Sequence, residues 1–185
     1  SWRWEGVLHE APACDEPFTQ VRLEGQYHIA YRRLGARSQD PQKTAREEMD
    51  LLLPEVERNP EDARSVIFLA ELYFNQSDYA NARKWYARRA EMGGLDQHVY
   101  ASMYGLAVSM ARLGEPWPDV QDAYLKAWAF RPTRAEPLYQ IAVHYRVEKQ
   151  YWLGHLFAES AAQIPFAEAD PFADAEVYAW RAADE

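Results

Sequence analysis

A single cysteine, Cys14, stands among 185 residues. That excludes an internal disulfide and any metal site built on paired thiolates. No His or basic residue adjoins Cys14 in sequence to activate it, so nucleophilic catalysis there is not expected. Long apolar runs are missing too. None approaches the roughly 20 residues of a membrane-spanning helix, and the N-terminus lacks the charged-then-apolar pattern of a secretory leader. A cytoplasmic location is the expectation. Positive charge is in deficit, with Lys+Arg 20 against Asp+Glu 29, a formal net charge of −9 and a pI near 5.1. A general binder of phosphate backbones needs a basic face, so nucleic acid is not an expected partner. The histidines are scattered, with no His-x-x-x-His or comparable ligand spacing, and no metal site is expected from them.

What the chain has in abundance is core material. Hydrophobic residues make up 48% and aromatics 14%, including seven Trp and twelve Tyr. A chain so rich in aromatics is not disordered, and its length suits one domain, or one and a small piece. The opening Ser1-Trp2-Arg3-Trp4 is strand-like and lacks an initiator Met, so it reads as the continuation of a longer protein. At the other end, residues 177–185 read as the start of a helix whose partner lies beyond the chain.

Residues 1–40 differ in texture from the remainder. Trp2–Glu10 and Gln20–Tyr31 contain stretches of strand character, separated by Pro12, Asp15 and Pro17. In the second, Val21, Leu23, Tyr27 and Ile29 alternate with polar residues at a period of two. Gly35 to Pro41 reads as a loop in which Asp40 caps a helix and Pro41 takes its first position. From Pro41 onward the pattern is helical. Apolar residues at three- and four-residue steps, with Pro, Gly and Asp between them, predict eight helices: one ending at Asn59-Pro60, then Glu61–Asn75, Tyr79–Met92, Gln97–Leu113, Asp119–Phe130, Arg134–Glu148, Gln150–Ile164 and Phe172–Ala183. Short connections make consecutive helices antiparallel hairpins. Gly114 to Pro118 reads as a turn, with Trp117 the aromatic expected to be exposed.

The helices repeat. A branched residue, a small residue, and an aromatic or Met three later recur as Leu69-Ala70/Tyr73, Leu106-Ala107/Met110 and Ile141-Ala142/Tyr145. The alanines are 37 and then 35 residues apart, against about 34 for the tetratricopeptide repeat. The second helix of each unit carries a corresponding trio: Ala82 and Tyr86, with Arg89 in the last small position; Tyr124 and Ala127, with Val120 in the first; and, more loosely, Gly154, Ala158 and Ala161. Small residues let two helices approach, and each unit buries its remaining apolar face against the next. The fold class expected is all-α, a tetratricopeptide-like helical-hairpin solenoid over residues 41–185, preceded by a short β-containing segment over 1–40. A nonrepetitive helical bundle is the alternative.

Several segments together resemble bacterial family 2 glycosyltransferases that carry a tetratricopeptide-like extension behind a GT-A catalytic domain. Trp4-Glu5-Gly6-Val7-Leu8-His9-Glu10 is similar to the aromatic-x-Gly-x-x-His-Glu stretch near the end of that domain. Gly35 to Lys43 is similar to the Gly-x-Arg-Ser-x-Asp-Pro-x-Lys stretch leading into the helices. Asn59 to Arg64 with Phe68 to Tyr73 resembles the first repeat, and Arg131 to Tyr139 and Val177 to Trp180 fit later ones. The resemblance spans nearly the whole chain and implies that residues 1–40 are the remnant of a transferase domain. It also implies a parent enzyme using a nucleotide-sugar with Mg²⁺ or Mn²⁺. The metal-holding Asp-x-Asp of such enzymes occurs nowhere here, and a GT-A domain needs about 200 residues or more. This chain alone is therefore expected to be inactive and to need no cofactor of its own.

Two sets of candidate residues follow. By resemblance, His9 and Glu10 belong to the transferase site, His9 near the diphosphate or metal and Glu10 near the acceptor; imidazole and carboxylate suit Mn²⁺, and a carboxylate serves as a base. The other reading makes them ordinary strand-end residues. Asn75, Tyr104, Arg112, Gln140, His144 and Arg146 lie on the first helices of the units and include polar types, so they are expected to line an inner groove holding a protein, peptide or glycan acceptor for an upstream catalytic domain. A stand-alone scaffold that bridges proteins is the competing function. Arg83, Lys84, Arg88 and Arg89 read either as a solvated helix face paired with Glu71 and Glu91 or as a contact for an acidic partner.

Overall fold

The computed structural model describes residues 1–8, 10–19, 40–166 and 174–178. Its elements are β1 (Trp2–Glu5), β2 (Ala11–Cys14), α1 (Pro41–Arg58), α2 (Ala63–Asn75), α3 (Tyr79–Glu91), α4 (Asp96–Leu113), α5 (Trp117–Phe130), α6 (Glu136–Val147) and α7 (Tyr151–Ala162). Residues 175–178 begin a further helical turn. The strand expected over residues 20–31, and the remainder of the expected last helix, lie outside the described residues.

Side-chain carboxylates start the first three helices. Asp40 accepts from the Lys43 amide at 3.0 Å, Asp62 from Arg64 at 3.0 Å and Asp78 from Asn81 at 3.1 Å. Each satisfies an amide that the helix itself leaves unpaired. Consecutive helices pack as hairpins, and α2 also touches α4, so the first helices of the first two units adjoin. This is the tetratricopeptide-like solenoid that the spacing predicted.

The repeat is visible atom by atom. Ala70, Ala107 and Ala142 are each 0% exposed, and all nine second-helix positions named above are buried, including the loosely matching Gly154, Ala158 and Ala161. The turn inside each hairpin repeats as well. Ser77, Gly114 and Lys149, at φ 61°, 70° and 59°, occupy the left-handed region at the same 37- and 35-residue steps. After each, an amide reaches back five residues: Asp78 to Tyr73 at 2.9 Å, Glu115 to Met110 at 3.2 Å and Gln150 to Tyr145 at 2.8 Å. This is a Schellman closure, and its carbonyls belong to the aromatic-or-Met residues of the repeat.

Three expectations are corrected. Residues 11–14, read as a break because of Pro12, form β2 and pair antiparallel with β1, Trp4 opposite Pro12 and Trp2 opposite Cys14. A two-stranded sheet consists of edges, so a proline that donates no ladder bond is tolerated there. Trp117 does not sit in an exposed turn. Pro116 and Pro118 set the φ values that begin α5 rather than interrupt it, and the Trp117 ring is half-buried against His144, centroids 3.3 Å apart. The most exposed large apolar side chain among the described residues is Trp152, at 88%. Finally, the basic cluster on α3 is not one solvated face paired with Glu71 and Glu91. Arg89 is 2% exposed and donates to the Gly93 carbonyl at 2.9 Å, while Arg88 donates to the Pro60 carbonyl and Arg83 pairs with Glu115 at 2.7 Å. Arg89 fills a small-residue position because its long stem is apolar and its head reaches the end of its own helix.

The β-hairpin joins the solenoid through Leu8, which is buried with Leu52, Val56, Val66 and Leu69 of α1 and α2. A second cluster centres on Ala107, Met110, Val120, Tyr124 and Ile141, and a third on Ala135, Leu138, Ala161 and Val177.

Candidate functional site

The first helices of all three units contribute to one cavity of about 540 Å³. Phe74 comes from α2; Tyr104, Gly105, Val108 and Arg112 come from α4; Gln140 comes from α6. Tyr86 and Tyr124 reach it from the second helices α3 and α5. The rings meet in tilted or edge-on geometry, Phe74 with Tyr86 at 6.3 Å and Tyr104 with Tyr124 at 6.1 Å, which suits aromatic quadrupoles.

Gly105 is what lets Tyr86 in. A methyl group on Gly105 would lie 2.7 Å from Cζ of the Tyr86 ring, closer than real side chains approach. The glycine sits inside a helix, where it costs about 1 kcal/mol relative to alanine, and the ring that it admits forms part of the cavity wall.

The cavity is rich in hydrogen-bond donors. Gln140 Nε2 donates to the Tyr104 hydroxyl at 3.3 Å, which leaves the Tyr104 proton to be donated elsewhere. Burial pushes the hydroxyls of Tyr86, Tyr104 and Tyr124 well above the ordinary phenol range; the nearby Glu71 carboxylate adds to this at Tyr86, and Arg112 opposes it at Tyr124. All three stay protonated at neutral pH. Arg112 is exposed and makes no ion pair among the described residues, so an acidic chain presents an unmatched cation here.

Tyr104, Arg112 and Gln140 of the expected groove are thus brought together. The other three are not in that cavity. Asn75 is exposed at the last position of α2, and Arg146 is exposed near the end of α6. His144 stacks on Trp117, where burial holds its imidazole below the ordinary range against the opposing pull of Glu148. Glu10 is exposed in the connection between β1 and β2, and His9 lies outside the described residues. A second hollow of about 570 Å³ lies between the β-hairpin and the α1–α2 turn, with Glu5, Glu55, Arg58, Asp62 and Arg64 among its lining. Its lining mixes these charged side chains with small apolar residues such as Val7, Pro12 and Ala13, and includes no aromatic ring. Among the described residues, no group of three His, Cys, Asp or Glu is placed to hold a metal ion, and no helix is long and apolar enough to cross a membrane.

Sequence reading takes Tyr86 and Tyr124 as part of the repeat packing without separating core from groove wall, and the structure places both in the cavity lining. It misses a buried polar network behind the groove. Arg134 donates to Glu136 at 3.0 Å and 2.6 Å, and both side chains are 3% exposed. The Tyr100 and Tyr178 hydroxyls and the Asp174 amide donate to the same carboxylate, at 3.2, 3.0 and 3.1 Å. The Tyr178 hydroxyl accepts from the Ala135 amide at 3.0 Å, and the Arg134 guanidinium lies 4.6 Å from the centre of the Tyr100 ring. Burial pushes the Glu136 carboxyl up, but the Arg134 bonds and charge, with backbone amides, outweigh it and hold it below the ordinary range. The network ties α4, α6 and the C-terminal turn together. The Glu136 carboxylate, which accepts from Arg134, Tyr100, Tyr178 and the Asp174 amide, makes this a structural joint.

No family model matches the chain, and no curated protein matches it in sequence. Solved structures do share its shape. A crystal structure of MamA superposes with a TM-score of 0.57 over 71% of this chain and 75% of that one, at 12% identity. A second structure, described as MamA MSR-1 C2, gives 0.56 over 69% and 71%, at 16% identity. At such identities the likeness is one of fold: the chain shares with them a solenoid of helical hairpins.

Proposed function

We propose that this chain is a polypeptide-binding module that receives its partner on the face shared by α2, α4 and α6. The observation that carries this reading is the aromatic cavity, to which the first helix of every unit contributes a side chain. A site built from three successive repeats suits an extended ligand running across them. The hydroxyls and the Gln140 amide supply bonds for a peptide backbone, and the rings supply apolar contact. In the test, peptides are selected from a random display library against the whole chain. The selected peptides are expected to bind at least tenfold more weakly, about 1.4 kcal/mol, to Arg112→Glu and unchanged to Trp152→Ala. Failure to select any peptide, or equal binding to Arg112→Glu, would contradict the reading.

The glycosyltransferase resemblance favours a more specific setting. In it the module holds a polypeptide or glycan acceptor in the cytoplasm for an upstream catalytic domain that uses a nucleotide-sugar with Mg²⁺ or Mn²⁺. The motif order from Trp4 to Lys43 supports this, and the stand-alone scaffold is its competitor. Reading the coding sequence upstream of Ser1 separates them. An α/β domain bearing Asp-x-Asp supports the transferase, and a start codon next to Ser1 removes it.

A further inference from the structure

The cavity on the α2–α4–α6 face has more specific chemistry than a general peptide groove. We propose that it takes an aromatic side chain of the partner polypeptide, with a carboxylate on the residue next to that side chain pairing with Arg112. The inference rests on the peptide-binding reading above and narrows it to a ligand class.

Shape and charge both carry it. The walls are rings that meet one another edge-on or tilted, with Tyr104 and Tyr124 at 49° and Phe74 and Tyr86 at 66°. Another ring entering such a site finds edges and faces in the orientations aromatic pairs favour, a gain that an aliphatic side chain of similar area lacks. The volume of about 540 Å³ leaves room for a full ring. Gly105 holds this shape open, because any larger residue would displace Tyr86. Arg112 then sets the charge. It is the cationic residue in the cavity lining, it is exposed, and no carboxylate pairs with it among the described residues. The neighbouring basic side chain Arg83 is already matched by Glu115. On a chain of net charge −9, this unmatched guanidinium beside the aromatic cavity is a local place for a partner carboxylate to pair. A guanidinium suits a carboxylate by its paired donors.

The probes are four blocked peptides, Ac-Gly-Phe-Glu-NH2, Ac-Gly-Phe-Gln-NH2, Ac-Gly-Leu-Glu-NH2 and Ac-Gly-Ala-Glu-NH2, titrated into the whole chain by amide NMR. The Phe-Glu peptide is expected to bind at least tenfold tighter than Ala-Glu and severalfold tighter than Leu-Glu and Phe-Gln, with shifts centred on Tyr104, Gly105 and Val108. Arg112→Gln, an exposed change that leaves the fold intact, should remove the preference for Glu over Gln and keep the preference for Phe over Ala. Equal binding of Phe-Glu and Ala-Glu, or a Glu preference that survives Arg112→Gln, would overturn the inference. Display selection keeps the two levels distinct. Winners that bind this face without an aromatic–acidic pair sink the ligand class and sustain the peptide-binding reading, whereas winners that bind elsewhere sink both.

Discussion

Two joints in the solenoid are equally buried and are built from opposite materials. Between the first and second units, the Tyr86 ring, packed on the fully buried Ala70 and Ala82 of its own hairpin, lodges against Gly105 with Phe74, Trp85 and Leu106 around it. Between the second unit, the third and the C-terminal turn, the buried contact is Arg134–Glu136 with Tyr100 and Tyr178. The first joint is held by fit, so its strength follows volume, and its titratable neighbour is the Glu71 carboxyl beside Tyr86, pushed up by burial. The second is held by charge and hydrogen bonds, so it fails when any one partner is removed and responds to protons.

The largest effect expected from breaking this contrast is on the polar side. Glu136→Ala leaves the Arg134 guanidinium buried without its carboxylate and removes the acceptor of three other donors. It should cost about 3–5 kcal/mol in urea unfolding, whereas Arg134→Met with Glu136→Leu, which removes both charges, should cost far less. The same carboxylate gives the joint a pH signature. Its folded pKa is depressed, so its contribution is full above the unfolded value near 4.5 and is lost as pH falls below it toward the folded value. Stability of the wild type should fall on acidification through that range more steeply than that of the double variant. Parallel curves would remove the contrast.

On the apolar side the expected effect is smaller. Gly105→Ala forces the Tyr86 ring to move; the overpacking costs about 1–3 kcal/mol, and the helix regains about 1 kcal/mol of propensity. A net loss of stability that Tyr86→Leu relieves, measured by thermal unfolding, would show that fit governs this joint. A Gly105→Ala protein as stable as the parent would contradict it.

The smallest effect concerns what both joints share, the left-handed turn within each hairpin. Lys149 holds φ 59° where Gly114 holds φ 70°. Lys149→Gly removes about 1 kcal/mol of backbone strain and returns most of it as flexibility in the unfolded chain. A gain of a degree or two in Tm is expected, with a clear loss for Gly114→Ala.

The apolar joint was legible in the sequence and the polar one was not, for a physical reason. Helix periodicity and the recurrence of Ala70, Ala107 and Ala142 report steric fit, which acts locally and repeats with the units. Arg134 and Glu136 sit two residues apart beside Pro137, and nothing in that spacing distinguishes a buried pair from a solvated turn. The same limit applies to the site. Of the polar first-helix residues expected to line a groove, Tyr104, Arg112 and Gln140 converge on one cavity, while Asn75 and Arg146 near their helix ends do not. Tyr86 and Tyr124 looked like packing residues, and only their approach to Gly105 and Tyr104 makes them cavity wall. A signal for this was present: Gly105 stands inside a long helical pattern where a glycine needs a packing reason. Trp117 was misplaced because a proline on either side reads as a turn, although proline also begins helices.

The central claim is that the α2–α4–α6 face is where this chain meets a polypeptide. Amide NMR of the whole chain with a display-selected peptide tests it most directly. The account predicts that the perturbed amides cluster at Phe74, Tyr104, Gly105, Val108, Arg112 and Gln140. A map centred instead on Trp152 and Leu156 of α7, or on the hollow beside the β-hairpin, would contradict it.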